Sequence, residues 1–378
     1  MVRRTKQTTG RPLLLPLVYL ATLTLIGVSG GALAMLGSEH VRTTAITTTV
    51  AGDQAAIRDF VASNVTIADL EPATFDSVRR AALEVLGFHA RGRWDLIVGV
   101  EDCHLASERG NSARNEVREW ARREMVSAYD RRERDGVLRN LVVREGRRTG
   151  QVQTRLVTSA TRFPKPPVDL HTAIEGDSGG TNGPTGVLGE ERLREELGGL
   201  RLEISHGAFF QTNTEMAERL YAVAAEYGGL SGSERVFDLY CGIGTIGLSM
   251  AARAGEVWGL EIVPEAIADA EGNAKRNGIE NARFVAGSAR TGVRPLLEQA
   301  GKPDVVVIDP PRAGLSQKIV RRVIECEAKR IVYVSCNPTT LAPNAAQLVE
   351  AGYTLRRVKP VDMFPQTPHI ECVALLER

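Results

Sequence analysis

Val236-Phe-Asp-Leu-Tyr-Cys-Gly-Ile-Gly-Thr-Ile-Gly247 sets a short apolar run directly before a glycine-rich turn and the start of a helical stretch. Glycines at such a turn let the backbone approach a ligand closely. Downstream the same texture repeats: VWGLE, ARFVAG, DVVVID, RIVYVSC and ECVALLER read as strands, separated by helical segments. Strands alternating with helices imply a doubly wound α/β sheet. No internal repeat is visible.

Gly242-x-Gly244-x-x-Gly247 is a weak signal alone, because dinucleotide sites share its spacing. Two carboxylates add to it. Asp238 gives the Asp-x-x-x-Gly-x-Gly arrangement of class I methyltransferases, and Glu261 ends the second strand. A carboxylate there accepts both hydroxyls of a ribose and repels a 2′-phosphate. The reading is S-adenosylmethionine, with NAD as the alternative and a purely structural glycine turn as the third. Ser288 ends the third strand, where an acidic or amide residue often meets the adenine, and is a departure.

Three later segments lie at strand ends, where open α/β sheets place their ligands. Asp309 is held by a Pro-Pro turn in Ile308-Asp-Pro-Pro-Arg-Ala-Gly314. Amino-methyltransferases carry an aromatic residue where Arg312 stands, which argues against N-methylation. Cys336 ends an apolar strand before a helix start, in YVSCNP, where exposure and the helix end favour thiolate. Taken alone, a buried structural cysteine is the blander reading. Glu371 ends a proline-stiffened loop, VDMFPQTPHIE, and alone is a solvated charge; His369 is read as structural or substrate-contacting. Together the set suits chemistry at carbon 5 of uracil. A thiolate adding to carbon 6 makes carbon 5 nucleophilic. After methylation a carboxylate must take the carbon-5 proton. The base must first leave its stack.

Working outward, residues 164–189 are Pro/Gly/Ser/Thr-rich and read as a flexible connection. Before them, Leu138–Arg144 and Gln151–Thr158 read as a hairpin, residues 106–134 as a long amphipathic helix, and residues 94–100 as a strand. The whole chain is balanced, 47 Lys and Arg against 46 Asp and Glu, which says little about a polyanionic partner. Residues 104–165 are locally basic, with 15 Lys or Arg against 8 Asp or Glu. That is a solvated helical face or a phosphate-tracking surface. Residues 12–38 are uncharged and mostly apolar behind Arg3, Arg4, Lys6 and Arg11, long enough to span a bilayer at about 20 residues. They read as a membrane-inserting segment. The basic flank then predicts export of the chain beyond the span, in conflict with a cytoplasmic cofactor and RNA. The five cysteines form no CxxC pair, so no zinc ribbon or redox motif is visible, and an odd, scattered set argues against a disulfide framework and for a reducing compartment.

The motifs SHGAFFQTN, DLYCGIGTIGL, IDPPRAG, YVSCNPTTLA and VDMFPQTPHIE, in this order over Ser205–Glu371, resemble the RNA 5-methyluridine (uracil-C5) methyltransferase family. Weaker similarity reaches back to about Leu86. The resemblance implies a class I, Rossmann-like fold and S-adenosylmethionine as cofactor. It also implies an RNA substrate, with 23S ribosomal RNA favoured over transfer RNA. It implies Cys336 as nucleophile, Glu371 as proton acceptor, and Gln211, Tyr240, Gly242, Thr245, Glu261 and Asp309 around the cofactor. Many members carry an N-terminal β-barrel domain and a four-cysteine iron–sulfur site. Cys103 matches one of those cysteines and the other three have no counterpart, so no cluster is expected.

The expected organisation is therefore α/β. A basic flank and hydrophobic helix occupies 1–38, with membrane anchoring as its role. A helical linker covers 39–85, and a partial α+β RNA-binding segment 86–165. A flexible connection fills 166–195 and the methyltransferase domain 196–378. The competing reading is a non-catalytic, truncated or chimeric relic tethered to a membrane. A cytosine-C5 enzyme is disfavoured because no second cysteine stands in a Pro-Cys motif.

Overall fold

A computed structural model describes residues 86–90, 92, 97–130, 134–159, 164–166, 171–175 and 184–378. The hydrophobic segment 12–38 and the linker 39–85 lie outside these residues. Among the described residues no helix is long and apolar enough to cross a membrane. The chain divides into two compact units, Met1–Asp102 with Arg118–Val137, and Cys103–Val117 with Leu138–Arg378.

In the first unit, β1 (Gly87–His89) pairs antiparallel with β2 (Ile97–Gly99). The helix α1 (Glu108–Arg123) has residues in both units. It ends eleven residues short of the sequence expectation, where Met125 takes a left-handed φ of 53°. In the second unit, β3 (Leu138–Gly146) and β4 (Gln151–Thr158) form the expected hairpin. β5 (His171–Glu175) and β6 (Pro184–Leu188) extend it to four strands. These two strands fall inside the stretch read as a flexible connection. Its Pro and Gly content masks two short strands, β5 pairing parallel with β4 and β6 antiparallel with β5.

β7 (Leu193–Leu197) and β8 (Leu200–Ile204) make a hairpin around Gly198 and Gly199, both at positive φ. Its alternation of buried and exposed residues is strict along β7. The single polar residue on the buried side is Glu195, 1% exposed. Its carboxylate accepts from the backbone N–H groups of Arg147 (2.7 Å), Arg148 (3.1 Å) and Glu196 (2.8 Å), and from Thr214 Oγ1 (2.7 Å). The turn of the β3–β4 hairpin is thereby pinned to β7. Replacing Glu195 by Leu leaves four donors unsatisfied, and we expect a loss on the order of 3 kcal/mol in urea unfolding. A loss below about 0.5 kcal/mol would contradict the pinning role.

The remaining elements are α2 (Thr214–Gly228), β9 (Arg235–Leu239), α3 (Thr245–Ala251), β10 (Glu256–Glu261), α4 (Pro264–Arg276), β11 (Ala282–Ala286), α5 (Ala289–Ala300), β12 (Val305–Ile308), α6 (Gln317–Glu325), β13 (Arg330–Ser335), α7 (Pro338–Glu350), β14 (Thr354–Val361) and β15 (Glu371–Glu377). The seven strands pair in the order β11-β10-β9-β12-β13-β15-β14. The first five are parallel, and β15 runs antiparallel to both β13 and β14. Two cores arise from strand alternation. Val236, Val305, Val307, Val332 and Val334 pack on one face, and Phe237, Leu239, Val306, Ile308, Ile331 and Tyr333 on the other. Burial on both faces is why these strands read as continuous apolar runs. Strand order reverses between β9 and β12, which opens a crevice at their carboxyl ends.

β14 has no counterpart in the sequence reading. It is an edge strand exposed along nearly its whole length, Thr-Leu-Arg-Arg-Val-Lys-Pro-Val, so no apolar run announces it.

Candidate active site

The turn after β9 lies at this crevice. Tyr240, Gly242 and Gly244 all take left-handed φ, 69°, 54° and 84°. The N–H groups of Tyr240 and Cys241 both donate to the carbonyl of Leu260, at 2.9 and 3.2 Å, docking the turn on β10. Asp238, fully buried, accepts from the Gly247 N–H at 2.8 Å and so holds the first turn of α3. Burial pushes its carboxyl up to about 7, the Gly247 amide opposes this, and the Glu261 charge adds to it. Its Oδ1 is buried without a hydrogen-bond partner. Glu261 faces the turn, its Oε2 accepting from Gly242 N–H (3.2 Å) and its Oε1 from Val263 N–H (3.0 Å). Thr245 Oγ1 donates to the Tyr221 hydroxyl at 3.3 Å.

The three glycines differ in purpose. A Cβ on Gly247 would meet Asp238 Oδ2 and Val257 Cγ1 at 2.9 Å, and one on Gly244 would meet Phe284 at 3.1 Å. Those two serve packing. A Cβ on Gly242 would meet nothing within 4 Å. Open space over a left-handed residue, bordered by the Glu261 carboxylate, is a cradle of the kind a nucleoside-bearing cofactor fills. The donor set therefore fits S-adenosylmethionine. Ser288, the departure in sequence, caps α5 by accepting from Arg290 N–H at 3.2 Å.

Gln211 lies in the Ser205–Asn213 loop between β8 and α2, half-buried, with Phe210 buried beside it and Phe209 72% exposed. Asn213 closes the loop. Its Oδ1 caps α2 at Met216 N–H (3.3 Å) and its Nδ2 donates to the Met363 carbonyl (2.9 Å). The Gln211 loop and the loop leading to Glu371 are thus tied together.

The other three site residues leave adjacent strands. Asp309 comes directly after β12, and its N–H donates to the Leu239 carbonyl at 3.3 Å. Ser335 pairs with Cys372 at the last position of the β13–β15 ladder, so Cys336 and Glu371 are the residues that flank this pair, and they lie within each other's electrostatic reach. Arg312 joins the three segments. Its carbonyl accepts from Asn337 Nδ2 (3.1 Å) and Thr340 Oγ1 (3.3 Å), and its guanidinium donates to His369 Nδ1 (2.9 Å). His369 therefore has an internal partner.

These groups share one electrostatic field. Burial, then the Glu371 charge, then Asp238, push the Asp309 carboxyl up to about 8. Glu371, 6% exposed, is raised by burial and lowered by Arg312. The Cys336 thiol is raised by burial and then by Glu371 and Asp309, with Arg312 opposing. This corrects the sequence expectation of a favoured thiolate. Desolvation and two carboxylates outweigh the helix end and the one nearby cation. A reaction needing the thiolate therefore rises in kcat/KM with pH over a range displaced above that of an ordinary thiol. Replacing Arg312 by Met removes the one cation that lowers the thiol. We expect the rising limb to move to higher pH, read from the pH dependence of kcat/KM. An unmoved limb would detach Arg312 from the thiol.

Sequence reading missed Asn337 and Asn213 as organisers, although Asn before Pro338 and Asn before Thr214 are both legible helix-start signals. Tyr221 carries no such signal. Cys103 accepts at its carbonyl from Asn111 Nδ2 (3.1 Å) and donates its N–H to Asn111 Oδ1 (2.9 Å). No group of three His, Cys, Asp or Glu side chains suited to a metal occurs among the described residues.

Comparison with known proteins adds four matches. The family described as tRNA (Uracil-5-)-methyltransferase matches residues 190–378. An RNA methyltransferase of Clostridium acetobutylicum, itself uncharacterized, is 37% identical over 309 residues, covering 78% of this chain and 67% of the relative. One from Enterococcus faecalis, likewise uncharacterized, is 41% identical over 308 residues, covering 77% and 67%. Among solved structures, the Pyrococcus abyssi tRNA (uracil-54, C5)-methyltransferase in complex with S-adenosyl-L-homocysteine matches with a TM-score of 0.64 and 31% identity. That match covers 78% of this chain and 73% of the other.

Proposed function

This chain belongs to the tRNA (uracil-5-)-methyltransferase family, and on that premise we propose that it methylates carbon 5 of a uridine in RNA through a covalent bond from Cys336 to carbon 6. The observation that carries the reading is that Cys336 and Glu371 flank the last β13–β15 pair and share one electrostatic field with Asp309, while open space lies over the Gly242 turn. S-adenosylmethionine, when bound, supplies an electrophilic methyl group on a sulfonium. Glu261 is assigned to the ribose, and Gln211, Tyr240, Gly242, Thr245 and Asp309 to the surrounding contacts.

The chain's own groups do the rest. Cys336 Sγ, as thiolate, bonds to carbon 6, and the displaced electron pair makes carbon 5 nucleophilic. Carbon 5 takes the methyl group and then bears both methyl and proton. Glu371, as carboxylate, accepts that proton. The freed pair restores the carbon 5–carbon 6 double bond and expels the Cys336 thiolate. The uridine must be unstacked to expose carbon 6.

As substrate we take 23S ribosomal RNA first and transfer RNA second, although the family description and the Pyrococcus neighbour favour the latter. Incubating the chain with S-adenosylmethionine and each RNA, labelled with tritium at uracil carbon 5, tests the reading. Tritium release with one of them is expected. No release from either, with cofactor demonstrably bound, would leave a non-catalytic binding protein.

A further inference from the structure

We propose that Arg144, on β3, is a positioning residue that sets Gln211 in the cofactor site by gripping the backbone of its loop. This rests on the reading of Gln211 as a cofactor contact. Between β8 and α2 the chain has no regular structure, so its carbonyls need partners from elsewhere. Arg144 Nη1 donates to the Ala208 carbonyl at 2.7 Å, and Nη2 donates to the Ser205 carbonyl at 2.8 Å. One guanidinium thus spans the first turn of the loop, which Ala208 N–H closes on the same Ser205 carbonyl at 3.2 Å. A planar fork fixes the separation and direction of two acceptors at once, which a lysine ammonium does not.

The grip is anchored at both ends. On the loop side, Ser205 N–H donates to the buried Asp269 at 2.8 Å. On the arginine side, Nη2 also donates to Gln153, itself 2% exposed, whose Nε2 donates to the Glu191 carbonyl at 3.0 Å. Glu195 pins the turn of the same hairpin. With Ala208 fixed, the next three residues have little freedom. Phe209 goes out to solvent, Phe210 goes into the core, and Gln211 is left at the rim. Arg144 stands 67 positions before Gln211 in sequence, so no local pattern marks it.

The test is calorimetric titration of the full chain with S-adenosylhomocysteine. The variants are Arg144→Met, Arg144→Lys, Gln211→Ala and the double Arg144→Met/Gln211→Ala, with circular dichroism melts as the folding check. Arg148→Met serves as control, since Arg148 pairs with Glu218 from the same hairpin without touching the loop. Gln211→Ala and Arg144→Met are each expected to weaken binding about tenfold, near the value of one oriented hydrogen bond. The double variant should be no more than about twofold weaker than either single, because both act through one contact. Arg144→Lys, which keeps one donor, should fall between and covers the case in which Arg144→Met fails to fold. Arg148→Met should bind as the parent does. If Gln211→Ala binds normally, the assignment of Gln211 fails and this inference with it. If Gln211→Ala is weakened while Arg144→Met or Arg144→Lys binds normally, only the inference fails. Effects that multiply to about a hundredfold in the double variant also overturn it, as does an equal loss in Arg148→Met.

Discussion

Cys336→Ala is expected to abolish turnover, by at least about 10³-fold, while cofactor binding stays within about twofold of the parent. Carbon 5 of uracil is a poor nucleophile, and without a sulfur on carbon 6 nothing raises its electron density. No other thiol of residues 190–378 can take over. Cys241, Cys326 and Cys372 are buried, and desolvation raises each of them, Cys326 to about 12. Cys336 is half-buried at the end of β13 and is the one with access to the crevice. RNA bearing 5-fluorouridine gives a direct readout, because fluorine at carbon 5 blocks the proton-abstraction step and holds the adduct. The parent should form a complex stable to denaturing electrophoresis, and Cys336→Ala should form none. Full activity in Cys336→Ala would remove the covalent route altogether. The pH response separates chemistry from folding. Parent kcat/KM should rise with pH as the raised thiol ionises, whereas a variant that had merely lost packing would keep the same profile at reduced amplitude.

How much of this is legible in the sequence depends on where each signal resides. The sheet is readable because β9, β10, β12, β13 and β15 are buried on both faces, which leaves an uninterrupted apolar run in each. β14 is not, because its side chains face solvent and pairing with β15 alone makes it a strand. The β7–β8 hairpin lies between: Gly198-Gly199 flanked by alternating Leu residues is a hairpin signal, yet it sits at the end of a glycine-rich stretch that blurs it. Site residues are legible one at a time, as motif positions. Their mutual effects are not. The direction of the Cys336 thiol depends on carboxylates 27 positions before it and 35 after it, brought together by strand order. The helix end taken alone therefore predicts the wrong sign. Arg144 shows the same limit, since both its carbonyl partners are more than 60 positions away.

Glu371→Gln is expected to let the first half of the reaction proceed and stop the second. With no carboxylate to take the carbon-5 proton, the methylated base keeps both proton and methyl. The pair needed to expel the Cys336 thiolate is then never released. Turnover should fall by about 10² to 10⁴-fold. The covalent enzyme–RNA complex, now carrying the methyl label, should accumulate to near one equivalent. The substitution also acts on the nucleophile with opposite sign. The Glu371 charge is the second cause holding the Cys336 thiol up, after burial. Its removal lowers the thiol, so adduct formation should reach its half-maximal rate at lower pH than in the parent. Asp309 shares the relief, because the Glu371 charge is the leading electrostatic cause of its raised carboxyl. Quenching the reaction in denaturant at several pH values, and tracking label in the protein–RNA band, measures both effects together. Free methylated RNA appearing at the parent rate would show that another group, with Asp309 the nearest candidate in this field, accepts the proton. An adduct that fails to form would place Glu371 before the first bond rather than after it.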